Sequence, residues 1–131
     1  MRVLTLIFGG LLTAVTAVPS QAALSILRET RDGILYIDRE GIEKQGNIQR
    51  VMSTQDFHRL QKFNDHEYLS ARAWYEVDCA TKKIRQVSLE IFPENMAMGG
   101  AVLSDKEAQA WQDPAENTRH GAIWKGVCAQ P

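Results

Sequence analysis

Between Tyr68 and Cys79 the chain alternates so regularly that it leaves little choice of structure. Leu69, Ala71, Ala73, Tyr75, Val77 and Cys79 share one face of an extended segment. Ser70, Arg72, Glu76 and Asp78 share the other, with Trp74 among them. Successive strand side chains point to opposite faces, so this pattern predicts a strand with one face buried and one solvated. Ala80 to Lys83 would turn the chain. Ile84 to Phe92 alternates again, with Val87, Leu89 and Ile91 facing in and Ser88 and Glu90 out. The two segments predict an antiparallel hairpin in the middle of a sheet, ended by Pro93.

The flanking chain supplies partners for that hairpin. Leu24 to Arg31 and Ile34 to Asp38 surround Asp32-Gly33, and Asp-Gly between apolar runs favours a tight hairpin turn. Arg39 to Gln45 reads as a polar connection to Gly46-Asn47, followed by a strand from Ile48 to Asp56. Arg59 to Glu67 is charged, contains Asn64-Asp65, and reads as a surface loop. Asn95 to Gly100 reads as a loop and Ala101 to Leu103 as a short edge strand. After the break at Asp113-Pro114, a helix is predicted over 115–128. Ile123 and Val127, then Trp124 and Cys128, repeat at i, i+4 and form a stripe that would pack on the sheet. Gly121 and Gly126 weaken that helix by roughly 1 kcal/mol each relative to Ala. The architecture expected is α+β: a single domain with an antiparallel sheet and a C-terminal helix packed on it. An exposed strand edge in such a sheet would be able to extend into a second copy.

The beginning of the chain has a different character. Met1-Arg2 precedes an apolar run from Val3 to Val18, and Pro19-Ser20-Gln21-Ala22 places small residues at −3 and −1 of a cut after Ala22. This is the layout of a secretory signal peptide over 1–22, leaving residues 23–131 as the domain. The run is short for a membrane anchor and has no stop-transfer charges after it. No cysteine stands at the cut, so an acyl anchor is not expected, and the exported protein would be periplasmic, secreted or at the cell surface. Cys79 and Cys128 are the two cysteines of the chain. In an oxidising compartment their default reading is one disulfide; free thiols and a redox or metal role are the alternatives, and no Cys-x-x-Cys is present. A formal charge of −1 argues against bulk binding to nucleic acid or anionic membrane.

Residues that carry chemistry are sparse. His58, His66 and His120 show no zinc spacing, and no Gly-x-Ser-x-Gly elbow occurs. No catalytic residue, cofactor site or preformed metal site is expected. Met96-Ala97-Met98 is the one soft-metal candidate: in an extended segment the two thioethers would project to one side, suiting Cu(I) with a third ligand such as a histidine or Met52. The alternative is that they cover apolar surface. Lys82, Lys83 and Arg85 form a basic cluster that would meet an acidic partner or sulfated glycan, or else make a solvated turn offset by Glu76 and Asp78. Trp74, on the polar side of its strand, either marks an interaction surface or lies under the C-terminal helix. Ser70 and Asp78 read as structural polar residues.

An ordered set of segments resembles the surface-adhesin protein E family of small exported bacterial proteins. These are Asp32-Gly33-Ile34-Leu35-Tyr36-Ile37-Asp38, Ile42, Gly46-Asn47, Asp56-Phe57, Tyr68-Leu69-Ser70-Ala71-Arg72, Tyr75-Glu76-Val77-Asp78-Cys79, Trp111 with Pro114, and Val127-Cys128. The resemblance implies the α+β domain, a Cys79–Cys128 disulfide, no catalysis, and binding to host matrix proteins. The sequence departs from it at the absent anchoring cysteine and at Asp65-His66-Glu67, where a basic segment would favour adhesion. The function expected is that of a non-enzymatic exported binding domain. The alternative is a periplasmic envelope-associated protein that binds another protein or, through Met96 and Met98, Cu(I).

Overall fold

The computed structural model of the chain describes residues 9–10, 12–14 and 24–129. The segment read as a signal peptide lies almost wholly outside the described residues. Seven strands form one antiparallel sheet: β1 (Leu24–Thr30), β2 (Gly33–Asp38), β3 (Glu43–Gln45), β4 (Ile48–Phe63), β5 (His66–Asp78), β6 (Lys83–Phe92) and β7 (Leu103–Asp105). The spatial order is β1-β2-β4-β5-β6-β7, and β3 pairs with β4 beyond the end of β2. One helix, α1 (Arg119–Cys128), packs on one face.

The expected central hairpin is present, and its burial follows its alternation. Ala71, Ala73, Tyr75 and Val77 of β5 are buried. Their cross-strand partners on β4 and β6 include Val51, Ser53 and Ile84, also buried. Ile123 and Val127 of α1 complete this core with Leu35 and Ile37 from β2. Each fully buried aliphatic side chain contributes about 1.5–3 kcal/mol. The helical glycines owe their identity to this packing. A Cβ on Gly126 would collide with Leu27 of β1, and one on Gly121 with the carbonyl of Ala115. The helix gives up propensity there so that its backbone can approach its neighbours.

Several sequence expectations are corrected. Arg59–Glu67 is not a loop. β4 continues to Phe63 and β5 starts at His66, leaving only Asn64-Asp65 as the turn, with Asn64 at φ 46°. The outer part of this hairpin is an arm solvated on both faces, so its strands bury too little to show an alternation. Arg39–Gln45 contains β3, whose three residues are all exposed and which exists through backbone pairing to 48–50. The helix begins at Arg119, not Ala115. Asn117 sits at φ 60°, and Thr118 caps the helix by accepting from the Gly121 N–H at 3.1 Å. The edge strand is Leu103–Asp105 rather than 101–103. Val87 does not face the core: a bulge opposite Trp74/Tyr75 shifts the register, so Gln86 stands beside Tyr75 and Val87 turns to the other face.

Cys79 and Cys128 form the disulfide, with Cα atoms 5.5 Å apart, joining the end of β5 to the last turn of α1. Beside it, the Trp124 indole N–H donates to the Asp78 carbonyl at 3.3 Å. The Asp78 carboxylate accepts from the N–H groups of Thr81 and Ala80, which holds its pKa below the ordinary carboxylate value and fixes the β5–β6 turn. Tyr75 lies at the other end of the helix contact. Its ring meets His120 edge-on at 5.4 Å, its hydroxyl donates to Gln86 at 3.4 Å, and burial raises its pKa.

Two predictions follow from this packing. The bridge closes a separation of 49 residues, so Cys79→Ser is expected to lower unfolding free energy by about 2–5 kcal/mol; urea unfolding of the variant checks this. Burial, then the charge of Arg119, hold His120 below 6.5. The unfolded chain therefore binds a proton that the folded chain resists. This contribution is complete above pH 6.5 and is lost as pH falls through 6.5 toward the folded value. The drop in Tm between about pH 7.5 and 5.5 is expected to be smaller in His120→Phe than in the parent.

Candidate functional site on the bare face of the sheet

The helix covers one face of the sheet, and register assigns the residues of the other. Tyr36, Thr54, Arg72, Glu90 and Ser104 form one row across β2, β4, β5, β6 and β7. Met52, Trp74 and Ser88 form the next, and Arg50 and Glu76 the one after. Trp74 is therefore on the side opposite the helix, which removes the reading that α1 covers it. It is half-buried, and the Arg50 guanidinium lies over its ring at 5.3 Å.

Arginine over aromatic recurs across this face. Arg72 lies 5.2 Å from the Phe92 ring and pairs with Glu90 at 3.3 Å. Arg85 lies 4.7 Å from the Trp111 ring and pairs with Glu76 at 2.7 Å. Such contacts bring about 0.5–1 kcal/mol each at exposed sites and keep flat apolar surface in place beside charge. The basic cluster read from the sequence is thereby largely occupied. Lys83 pairs with Asp113 at 2.6 Å, which holds the Asp113 carboxyl below its ordinary value, and Lys82 sits over Trp124 at 5.6 Å. Asp113 takes the offsetting role expected of Asp78.

At one end the face is closed by the tight turn Asn95–Ala97. Ser70, fully buried, donates to the Glu94 carbonyl at 2.6 Å and accepts from the Ala97 N–H at 2.8 Å. Asp56 accepts from the Met96 N–H at 2.7 Å and the Asn95 amide at 3.0 Å. These bonds hold Met96 and Ala97 at φ 56° and 57°, a left-handed conformation that non-glycine residues rarely adopt. The Met96-Ala97-Met98 segment is thus not extended, and the two thioethers do not project from a strand as expected; Met96 is half-buried and Met98 exposed. Among the described residues no cluster of three or more His, Cys, Asp or Glu is placed to hold a metal ion. His58 and His66 lie exposed on the β4–β5 arm with Leu60 and Phe63.

Two hollows contrast in what their cations do. Between β1 and α1, Arg28, Arg39 and Lys125 line an open groove, but Arg39 donates to the Gly126 carbonyl at 2.7 Å, Arg28 to the Asn117 carbonyl, and Lys125 faces Glu116 at 3.6 Å. On the bare face, Arg50, Trp74, Val87, Ser88, Glu90, Ser104 and Lys106 surround a hollow of about 420 Å³. Among the described residues neither Arg50 nor Lys106 has a carboxylate within 4.0 Å. Trp74 was visible in the sequence as an aromatic on a polar face. Val87, Ser104 and Lys106 were not, because a bulge and a three-residue strand bring them there.

The family model described as Surface-adhesin protein E matches residues 24–129. The chain belongs to the surface-adhesin protein E family. Solved structures of Haemophilus influenzae protein E share the fold. One matches with TM-score 0.61 at 17% identity, covering 79% of this chain and 83% of that one. A second crystal form matches with TM-score 0.60 at 18% identity, covering 72% and 80%. No curated protein sequence matches. The sheet, the helix and the Cys79–Cys128 bridge implied by the family resemblance are all present. Among the described residues no helix is long and apolar enough to cross a membrane.

Ser70→Ala is expected to cost about 1–3 kcal/mol, because the Ala97 N–H and Glu94 carbonyl lose their partner while the turn must still hold two left-handed residues. Thermal unfolding of the variant, with hydrogen exchange at Ala97, measures this.

Proposed function

We infer that this chain is an exported, non-catalytic adhesin domain that binds a host matrix protein. In this reading residues 1–22 are a leader removed on export and residues 23–131 are the working domain. The observation that carries it is family membership across residues 24–129. The form of the molecule agrees with it. One face of the sheet is used by the helix, while the other keeps Tyr36, Met52 and Trp74 half-buried with no α-helix over them among the described residues. Aromatic residues beside arginine are the side chains that dominate protein–protein recognition. The β4–β5 arm adds Leu60 and Phe63, which are 55% and 48% exposed.

Two linked measurements test the reading. Protease added to intact native cells is expected to remove the protein, and the purified domain is expected to bind an immobilised matrix protein saturably. Protection until the outer envelope is opened would end the host-matrix reading and leave a periplasmic protein-binding role.

A further inference from the structure

We propose that the hollow beside Trp74 is a binding site for an acidic sugar, a carboxylate-bearing pyranose within a glycan chain. The proposal concerns a ligand class and does not depend on the protein partner inferred above. Its lining supplies what such a ring needs. The half-buried Trp74 indole offers flat apolar surface for the C–H face of a pyranose. Ser88 and Ser104 bring hydroxyls to the rim, able to donate or accept. Glu90, already paired with Arg72, keeps acceptor capacity for a sugar hydroxyl. Arg50 and Lys106 stand at the same hollow without a carboxylate within 4.0 Å among the described residues. The one carboxylate in the lining, Glu90, is held by Arg72, and Glu76, across the strand from Arg50, is held by Arg85, so the lining carries a net positive charge. Arg50 lies over the indole at 5.3 Å, so a sugar ring would meet the apolar surface that the guanidinium leaves uncovered, with the cation at its edge. The volume, about 420 Å³, falls in the range of small-ligand sites.

The backbone around the hollow favours a sugar over an acidic peptide. An extended peptide gains much of its affinity by pairing with an open strand edge. Here β4 and β5 are paired on both sides. β6 is paired with β5, and its other edge is taken by β7 and then by Gln109 and Gln112, which bond to Gln86 and Ile84. The edge left open beside the hollow, among the described residues, is that of β7, which is three residues long, so a peptide there would leave most of its own amides unpaired. A pyranose carries its polar groups on a ring the hollow can meet with side chains alone.

Isothermal titration calorimetry of the purified protein with a hyaluronan hexasaccharide tests this, with neutral chitohexaose and a hexaglutamate peptide alongside. Saturable binding of the hyaluronan fragment is expected, weakening as salt rises. Arg50→Gln and Lys106→Gln should each raise Kd by about threefold or more, and Trp74→Ala by about tenfold, with unchanged circular dichroism. The two cation variants lie at the surface and keep the test valid if Trp74→Ala perturbs the fold. Absence of binding, equal binding of chitohexaose, tighter binding of hexaglutamate, or indifference to both cation variants would each overturn the proposal.

Discussion

The buried face of β5 under α1 is the contact on which the rest of the molecule depends. Tyr75 and Val77 bring the centre of the sheet to Ile123 and Val127, and the Cys79–Cys128 bridge fastens the strand end to the helix end. A ten-residue helix is marginal by itself in water, so it exists here because the sheet gives it an apolar surface. The sheet in turn has one covered face because the helix is there. Seating the helix requires the approach of Leu27 to Gly126 and of Ala115 to Gly121. A Cβ at Gly121 would force the Ala115 backbone aside, and one at Gly126 would have to displace the Leu27 side chain.

Covering one face decides the character of the other. Among the described residues no α-helix lies over the bare face, and its aromatics are shielded by charged side chains. Arg50, Arg72 and Arg85 each lie over a ring, and the last two also hold a carboxylate. Arg50 differs in having a ring and no carboxylate partner among the described residues. A surface organised this way stays hydrated while keeping flat apolar area near at hand. Two of the left-handed non-glycine residues, Met96 and Ala97, lie at the edge of this face, where Asp56 and Ser70 clamp the 95–97 turn.

How far the sequence could be read tracks how much each segment buries. The β5–β6 hairpin was legible because Ala71, Ala73, Tyr75 and Val77 all face a core, and periodicity records burial. The β4–β5 arm reads as a loop because charged and apolar residues are mixed on both its faces and nothing there separates inside from outside. β3 was missed for the same reason, being fixed by main-chain pairing alone. Val87 was assigned to the wrong face because one inserted residue inverts parity and leaves no compositional trace. The disulfide was expected from the cysteine count and the export signal. The hollow beside Trp74 could be anticipated only at Trp74, since its remaining walls depend on register.

The solvated arm has a consequence for how such a domain can change. Beyond Asp56 and Ser70 its two strands keep company mainly with each other, and many of its side chains face water. Substitutions there alter what the molecule displays while leaving the packing beneath the helix untouched. Folding and display are thus under separate control in one short chain: the core can stay fixed while the residues at the tip change.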